Sequence, residues 1–211
     1  MPEPLHAVPV NLITGRRGAG KSSVIRRLLA QRPADQCWAV LYNDVPAAGE
    51  QTPEPEQDGV RFSLMADGCI CCSAQVGLRV ALTRLLREAR PQRLLIEPSS
   101  QARIHEVLKQ LADRWLAPVL EVRATILVLN AAQHAGAPLA HDLDRERIAR
   151  ADVIALHPGG KTNGDGMASL ERNLAMLAPR ATIAKAAFAG LDTALLDMPA
   201  REVRPHFYSG G

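Results

Sequence analysis

Aromatic side chains are scarce in this sequence. Phe, Tyr and Trp together make up 3% of its 211 residues, so the core has to be built from Leu, Val, Ile and Ala. Proteins that bind single-stranded nucleic acid stack the bases on aromatic rings, and few rings are available here. The net charge of +3 is too small to indicate nucleic-acid binding by itself. We therefore expect no nucleic-acid partner.

The sequence also lacks long apolar runs. No stretch approaches the length of about 18 apolar residues that a membrane-spanning helix needs. Residues 1–10 contain neither the basic start nor the apolar centre of a secretion signal. We therefore expect a cytoplasmic protein that does not enter a membrane.

Cysteine is rare, but its distribution is uneven. Three of the four cysteines, Cys69, Cys71 and Cys72, lie within four positions. Neighbouring cysteines rarely reach disulfide geometry, and thiols stay reduced in the cytoplasm. Three thiolates nearly complete a tetrahedral zinc site, so the cluster predicts a transition-metal site with water, Asp44 or a histidine as the fourth ligand. The alternative is three small buried residues, because free cysteine is often buried.

Short apolar runs alternate along the chain with segments of helical periodicity. The alternation predicts an α/β fold of three layers, in which helices cover both faces of a mostly parallel central sheet. Residues 1–198 are predicted to form one domain, and residues 199–211 a polar C-terminal tail. The predicted strands are 8–14, 38–42, 60–65, 93–96, 124–129, 153–156 and 182–183, and the predicted helices are 21–31, 76–89, 104–116, 145–150 and 167–177.

A glycine-rich loop follows the first predicted strand. The G-x-x-x-x-G-K-[ST] pattern of a phosphate-binding P-loop is matched completely by residues 15–22. Glycines allow several backbone N–H groups to point at a phosphate, and the helix that begins near Lys21 adds its positive end. Lys21 is expected to reach the β- and γ-phosphates, and the Ser22 hydroxyl to ligate magnesium. The predicted fold is therefore a P-loop NTPase.

Two acidic residues lie where P-loop proteins use a carboxylate. Glu97 ends the strand 93–96, and Asp44 comes just after the strand 38–42. A carboxylate at such a position supports magnesium or the attacking water, although many strands simply end in a solvated acid. Lys21 and Glu97 are the predicted catalytic residues. The predicted nucleotide-binding residues are Gly15, Arg16, Arg17, Gly18, Ala19, Gly20, Lys21, Ser22, Ser23 and Asp44.

Together these features resemble the CobW-like GTPases, relatives of the HypB and UreG metal-insertion proteins. The resemblance spans roughly residues 8–196, covers the nucleotide-binding domain only, and depends mainly on the Gly-Cys-Ile-Cys-Cys sequence of residues 68–72. It implies a slow GTPase that binds GTP with magnesium and holds zinc, cobalt or nickel at the cysteine motif. It also implies coupling of the metal to the nucleotide state, delivery to a metalloprotein client, and a homodimer as one arrangement.

Several motifs depart from the pattern of that family. Ser100 replaces the glycine of the E-x-x-G motif that begins at Glu97, and Asn130 replaces an aspartate. The guanine-reading Asn-Lys-x-Asp motif is replaced by His-Pro-Gly-Gly at residues 157–160. The carboxylate that accepts hydrogen bonds from guanine is therefore absent from the motif. Asp165 lies nearby in the sequence and is the candidate to replace it. We therefore expect GTP or ATP as the nucleotide.

The departures leave two alternatives to a metal-coupled GTPase. The first is a degenerate module that binds nucleotide or metal without useful hydrolysis. The second is a P-loop kinase for a small molecule, which the cysteine cluster disfavours because phosphoryl transfer does not require one.

Overall fold

The computed structural model describes residues 7–43, 58–65, 75–134, 139, 141–159, 164–185 and 191–201. Two predicted site features lie outside these residues: Asp44, and the cluster of Cys69, Cys71 and Cys72. None of the described helices is long and apolar enough to cross a membrane.

The described residues form an eight-stranded sheet flanked by five α-helices. In the sheet, the order is β3-β2-β4-β1-β6-β7-β8, β5 pairs with the first half of β1, and every pairing between these strands is parallel. The strands are β1 (Val8–Thr14), β2 (Trp38–Tyr42), β3 (Val60–Leu64), β4 (Arg93–Glu97), β5 (Leu120–Val122), β6 (Ile126–Asn130), β7 (Val153–His157) and β8 (Thr182–Lys185). The helices are α1 (Lys21–Ala30), α2 (Gln75–Ala89), α3 (Ile104–Leu111), α4 (Asp142–Arg150) and α5 (Gly164–Leu177), with 3-10 helices η1 (Ala131–His134) and η2 (Thr193–Asp197).

The sheet is covered on both faces, which confirms the predicted three-layer α/β fold. Helix α1 and η2 pack on one face, against alternate residues such as Ile13 and Val128. Helices α2 to α5 pack on the other face, against the intervening residues such as Leu12 and Leu127. Burial on both faces explains why the strands are nearly continuous apolar runs.

Helix α3 ends at Leu111, five residues before the predicted end at 116. The cause is Asp113, whose carboxylate accepts hydrogen bonds from the backbone N–H groups of Trp115 at 2.7 Å and Leu116 at 2.9 Å. An aspartate that bonds to the backbone two and three residues ahead favours a turn over a continued helix.

Helix α4 begins at Asp142, three residues before the predicted start at 145. His141 caps it, because the His141 Nδ1 atom accepts a bond from the backbone N–H of Leu143 at 3.4 Å. Asp142 and Asp144 lie in the first turn, where negative charge is favourable beside the positive end of a helix. Because this turn is acidic, apolar periodicity does not indicate where the helix begins.

The segment predicted as a tail begins in contact with the domain. Pro199 pairs with Arg123 in an isolated antiparallel bridge, and the backbone N–H of Arg201 donates to Asp152 Oδ1 at 3.2 Å. Burial raises the pKa of Asp152, and the backbone bonds from Thr125 and Arg201 oppose that shift. Residues 199–201 therefore pack against the beginning of β7.

A buried polar contact joins the middle of the sheet to η2. Asn11 in β1 is fully buried, and its Nδ2 donates to the carbonyl oxygens of Ala124 at 3.0 Å and Leu196 at 2.9 Å. Its Oδ1 accepts from Arg93 Nη1 at 2.8 Å. The Arg93 guanidinium also pairs with Asp197. Asn11 thus satisfies polar groups of three neighbouring segments at once.

Replacing Asn11 with leucine is expected to destabilise the fold. The change removes three buried hydrogen bonds, which costs about 2–4 kcal/mol. Only the longer bond of 3.4 Å from Arg93 Nη1 to the Leu196 carbonyl remains among these groups. Urea unfolding followed by circular dichroism measures this cost. The control is Asn173→Leu on the exposed side of α5. A loss below about 1 kcal/mol for the Asn11 variant would contradict the assigned role.

Candidate functional site

The glycine loop of residues 15–20 leaves β1 beside the neighbouring strand β6. Gly15 has a φ of 154°, and a Cβ atom there would lie 2.5 Å from the carbonyl oxygen of Val128. Any side chain at Gly15 would therefore push β6 away. Gly20 has a φ of 98° and forms the N-cap of α1. The loop consequently enters α1 directly, and the positive end of that helix faces the same side as the loop.

Several carbonyl oxygens of the glycine loop accept hydrogen bonds from side chains. Lys21 Nζ donates to the carbonyl of Arg16 at 3.2 Å, and Gln133 Nε2 donates to that of Arg17 at 2.9 Å. His157 Nε2 contacts the carbonyl of Ala19 at 2.9 Å, and because a carbonyl only accepts, this nitrogen carries the proton. A loop whose carbonyls are bound from outside can turn its N–H groups toward an anion.

The predicted catalytic pair lies together at the start of α1. Lys21 is 5% exposed, and its Nζ is 3.5 Å from Oε1 of the equally buried Glu97. The Ser22 hydroxyl donates to Glu97 Oε2 at 3.2 Å. This convergence follows from the sheet order, because β4 pairs with β1 and Glu97 ends β4. The arrangement places a cation, a hydroxyl and a carboxylate within one polar cluster.

Arg16 is bound by two segments that flank the loop. Its Nε donates to Asp144 Oδ2 at 2.9 Å, its Nη2 bonds to the same oxygen, and its Nη1 donates to the carbonyl of Gln133 at 3.4 Å. Asp144 lies in α4 and Gln133 in η1. Neither partner is predicted from the sequence.

Asp144 also contacts a second arginine of its own helix. Arg147 is 2% exposed, and its Nη1 is 3.4 Å from Asp144 Oδ1. The Nη2 of Arg147 donates to the carbonyl oxygen of Ser100, three residues after Glu97. Burial alone would raise the pKa of Asp144, but the hydrogen bond from Arg16 and the charges of both arginines outweigh burial and lower it. Asp144 is therefore ionised at neutral pH.

His134 ends η1 beside this ion cluster. It is 7% exposed, and within the described part of the chain neither ring nitrogen has a hydrogen-bond partner. Burial, followed by the charge of Arg16, lowers the pKa of His134, against an opposing effect of Asp144. His134 is consequently neutral at pH 7 and adds no further positive charge to the cluster.

His157 and Gly159, two of the residues that replace the guanine-reading motif, lie at the end of β7 beside β6. A Cβ atom on Gly159 would lie 1.7 Å from Asn130 Oδ1, so a side chain at this position would displace that of Asn130. Asn130 Oδ1 accepts from the backbone N–H of Ala132 at 3.0 Å. The predicted substitute, Asp165, is exposed in the first turn of α5, and residues 160–163 lie outside the described ranges.

The structure brings together the glycine loop, Lys21, Ser22 and Glu97. Ser23 lies one position further along α1 and accepts a bond from Arg26 Nη2 at 3.4 Å. Over the described ranges, no group of three or more His, Cys, Asp or Glu side chains is arranged to hold a metal ion. The predicted cysteine site falls in residues that the structure does not describe, so it stays a prediction.

The glycine loop, the buried acid beside it and the parallel sheet agree with a comparison to known families. The model of the CobW/HypB/UreG nucleotide-binding domain matches residues 9–185. The chain belongs to this family. The predicted family and the P-loop NTPase fold are therefore confirmed.

Similar sequences of this family include proteins named for zinc. The zinc chaperone YeiR of Escherichia coli (strain K12) is 29% identical over 194 residues, which cover 92% of this chain and 59% of YeiR. The zinc-regulated GTPase metalloprotein activator 1 of Schizosaccharomyces pombe is 32% identical over 90 residues, or 40% of this chain and 22% of that protein. The chain thus spans about three fifths of the length of YeiR.

Solved structures that resemble this chain share its fold. The Zn(II)-bound YjiA GTPase from Escherichia coli superposes with a TM-score of 0.66 at 20% identity, over 90% of this chain and 61% of YjiA. HypB from Helicobacter pylori, in complex with nickel, superposes with a TM-score of 0.55 at 16% identity, over 84% of this chain and 77% of HypB. At such identities the likeness establishes the fold alone.

Proposed function

We propose that this chain is the nucleotide-binding domain of a metal-coupled GTPase, a slow magnesium-dependent nucleoside triphosphatase that acts in metal homeostasis or metal delivery. The observation that supports the proposal most is the convergence of Lys21, Ser22 and buried Glu97 at the end of the glycine loop. Membership of the CobW/HypB/UreG family supports the same activity.

The residues at the loop suit a nucleoside triphosphate and magnesium. The loop N–H groups and the start of α1 favour a phosphate, and Lys21 supplies a positive charge for the β- and γ-phosphates. The Ser22 hydroxyl and the Glu97 carboxylate are hard oxygen ligands of the kind that Mg²⁺ takes. Magnesium would neutralise charge on the phosphates, and Glu97 would hold either the ion or the water that attacks.

The proposed metal cargo is zinc or a related transition metal, held by Cys69, Cys71 and Cys72. Three thiolates suit zinc, and the names of YeiR and of the fission-yeast relative both refer to zinc. Coupling of metal binding to the nucleotide state would allow the chain to deliver the metal to a metalloprotein client. The chain is also proposed to form a homodimer.

The second candidate is a module that binds nucleotide or metal with little hydrolysis. Two observations favour it. His157 and Gly159 stand at positions of the guanine-reading motif and supply no carboxylate. The carbonyl of Ser100, which replaces the glycine of the E-x-x-G motif, accepts a bond from Arg147. Phosphate release from GTP, with and without zinc, separates the two candidates. Phosphate release that requires magnesium and changes when zinc is added favours the GTPase. The absence of phosphate release favours the module.

Replacing Lys21 with alanine is expected to remove most of the affinity for a nucleoside triphosphate. The loss should be about 2–4 kcal/mol, because a charge-assisted contact with the phosphates disappears from a buried site. Isothermal calorimetry with a non-hydrolysable GTP analogue and magnesium measures it. The matched control is Lys109→Ala, an exposed lysine of α3. Unchanged binding by the Lys21 variant would refute the assignment of the glycine loop.

Zinc is expected to bind with a stoichiometry of one per chain, with sulfur ligands visible in X-ray absorption. Replacing Cys69, Cys71 and Cys72 with serine should abolish tight binding, because a serine hydroxyl is a poor zinc ligand at neutral pH. The control is Cys37→Ser, which changes a free cysteine before β2. Equally tight zinc binding by the triple variant would place the metal elsewhere.

Selectivity for GTP over ATP is expected to be less than about a hundredfold. A site discriminates between bases when its own polar groups would be left unpaired by the wrong base, and residues 157–160 offer no carboxylate to guanine. A competition measurement with both triphosphates tests this expectation. A larger preference for GTP would contradict it, and Asp165→Ala would then show whether Asp165 reads the base.

A further inference from the structure

Two separate routes connect the glycine loop to the segment that follows β4. The direct route runs from Lys21 and Ser22 to the Glu97 carboxylate, at 3.5 and 3.2 Å. The second route starts at Arg16, at the other end of the loop, and passes through α4. It consists of the contacts from Arg16 to Asp144, from Asp144 to Arg147, and from Arg147 to the carbonyl of Ser100.

The second route is buried along most of its length. The exposed fractions of the side chains of Asp144 and Arg147 are 4% and 3%, and Arg16 retains 33%. A buried charge is costly unless it is paired, and Asp144 is the carboxylate that pairs with both arginines. Removing the charge of Asp144 would take away the carboxylate that pairs with both guanidinium groups.

The far end of this route is an ordered turn. The backbone N–H of Ala102 donates to the Ser99 carbonyl at 2.9 Å, and that of Gln101 donates to Ser99 Oγ at 3.3 Å. Arg147 holds this turn by the Ser100 carbonyl, three residues from Glu97. Because the chain is continuous, the position of the turn restricts where the Glu97 carboxylate can lie.

We propose that Asp144 is a positioning residue that couples the glycine loop to the Glu97–Ser100 segment through Arg16 and Arg147. This inference rests on the proposed function, since its consequence concerns the nucleotide. Binding of the γ-phosphate and magnesium depends on Lys21, Ser22 and Glu97 acting together. A diphosphate depends more on the loop backbone. Loss of the coupling should therefore weaken a triphosphate more than a diphosphate.

The test uses Asp144→Asn in the full chain, with Asp142→Asn as the control. Asp142 lies in the same first turn of α4 but is exposed. We expect the Asp144 variant to bind a non-hydrolysable GTP analogue with magnesium about tenfold more weakly, and GDP within about threefold of wild type. Hydrogen exchange at residues 99–102 should become faster, while exchange in β2 stays unchanged.

If Asp144→Asn does not fold, Arg147→Met provides the same test. Methionine keeps the unbranched apolar stem of the side chain but cannot bond to the Ser100 carbonyl. Arg145→Met is its exposed control. Equal losses for the GTP analogue and GDP would overturn the coupling, because they would indicate damage to the whole loop. Unchanged affinity for both, or unchanged exchange at residues 99–102, would overturn it as well.

Failure of the proposed function would be recognised separately. In that case wild type itself binds neither nucleotide, and hydrogen exchange alone decides whether the coupling exists. Faster exchange at residues 99–102 in the Asp144 variant then supports the coupling between α4 and the turn, and unchanged exchange overturns it.

Discussion

The carbonyl oxygen of Val128 leaves no space for a side chain at Gly15, and the rest of the site depends on this close approach. Because β6 touches the loop at its first residue, the chain must turn over the carboxyl end of the sheet and enter α1 within six residues. The turn sets Lys21 and Ser22 beside β4, the other neighbour of β1, where Glu97 ends the strand. A central strand with parallel neighbours on both sides is thus the condition for the polar cluster.

Most of the fold and the centre of the site could be predicted from the sequence, because their information is local. The glycine loop is one uninterrupted pattern, and the strands are apolar runs that parallel sheets require. Glu97 could be predicted because it directly follows such a run. The ends of helices are predicted less accurately where a side-chain hydrogen bond to the backbone, rather than apolar periodicity, determines the boundary. Asp113 does so at the end of α3 and His141 at the start of α4.

The contacts around Arg16 could not be predicted, because nothing local signals them. Arg16 and Asp144 are 128 positions apart, and charged residues in a loop and a polar helix are ordinarily exposed. From the sequence, Arg16 is predicted only as one of the nucleotide-binding residues of the glycine loop. The structure instead shows its guanidinium bound to Asp144 and Gln133. Whether Arg16 also contacts a phosphate stays a prediction.

The ion cluster of Arg16, Asp144 and Arg147 is better explained by geometry than by stability. Replacing buried ions with apolar residues is often neutral or stabilising, so a buried cluster contributes mainly by excluding other arrangements. Asp144 pairs with both guanidinium groups, and the charge of Glu146 also acts on Arg147. The two arginines donate further bonds to the backbone carbonyls of Gln133 and Ser100. Those two carbonyls belong to segments on either side of the glycine loop. The bonds from the two arginines to these carbonyls therefore hold both segments to the loop.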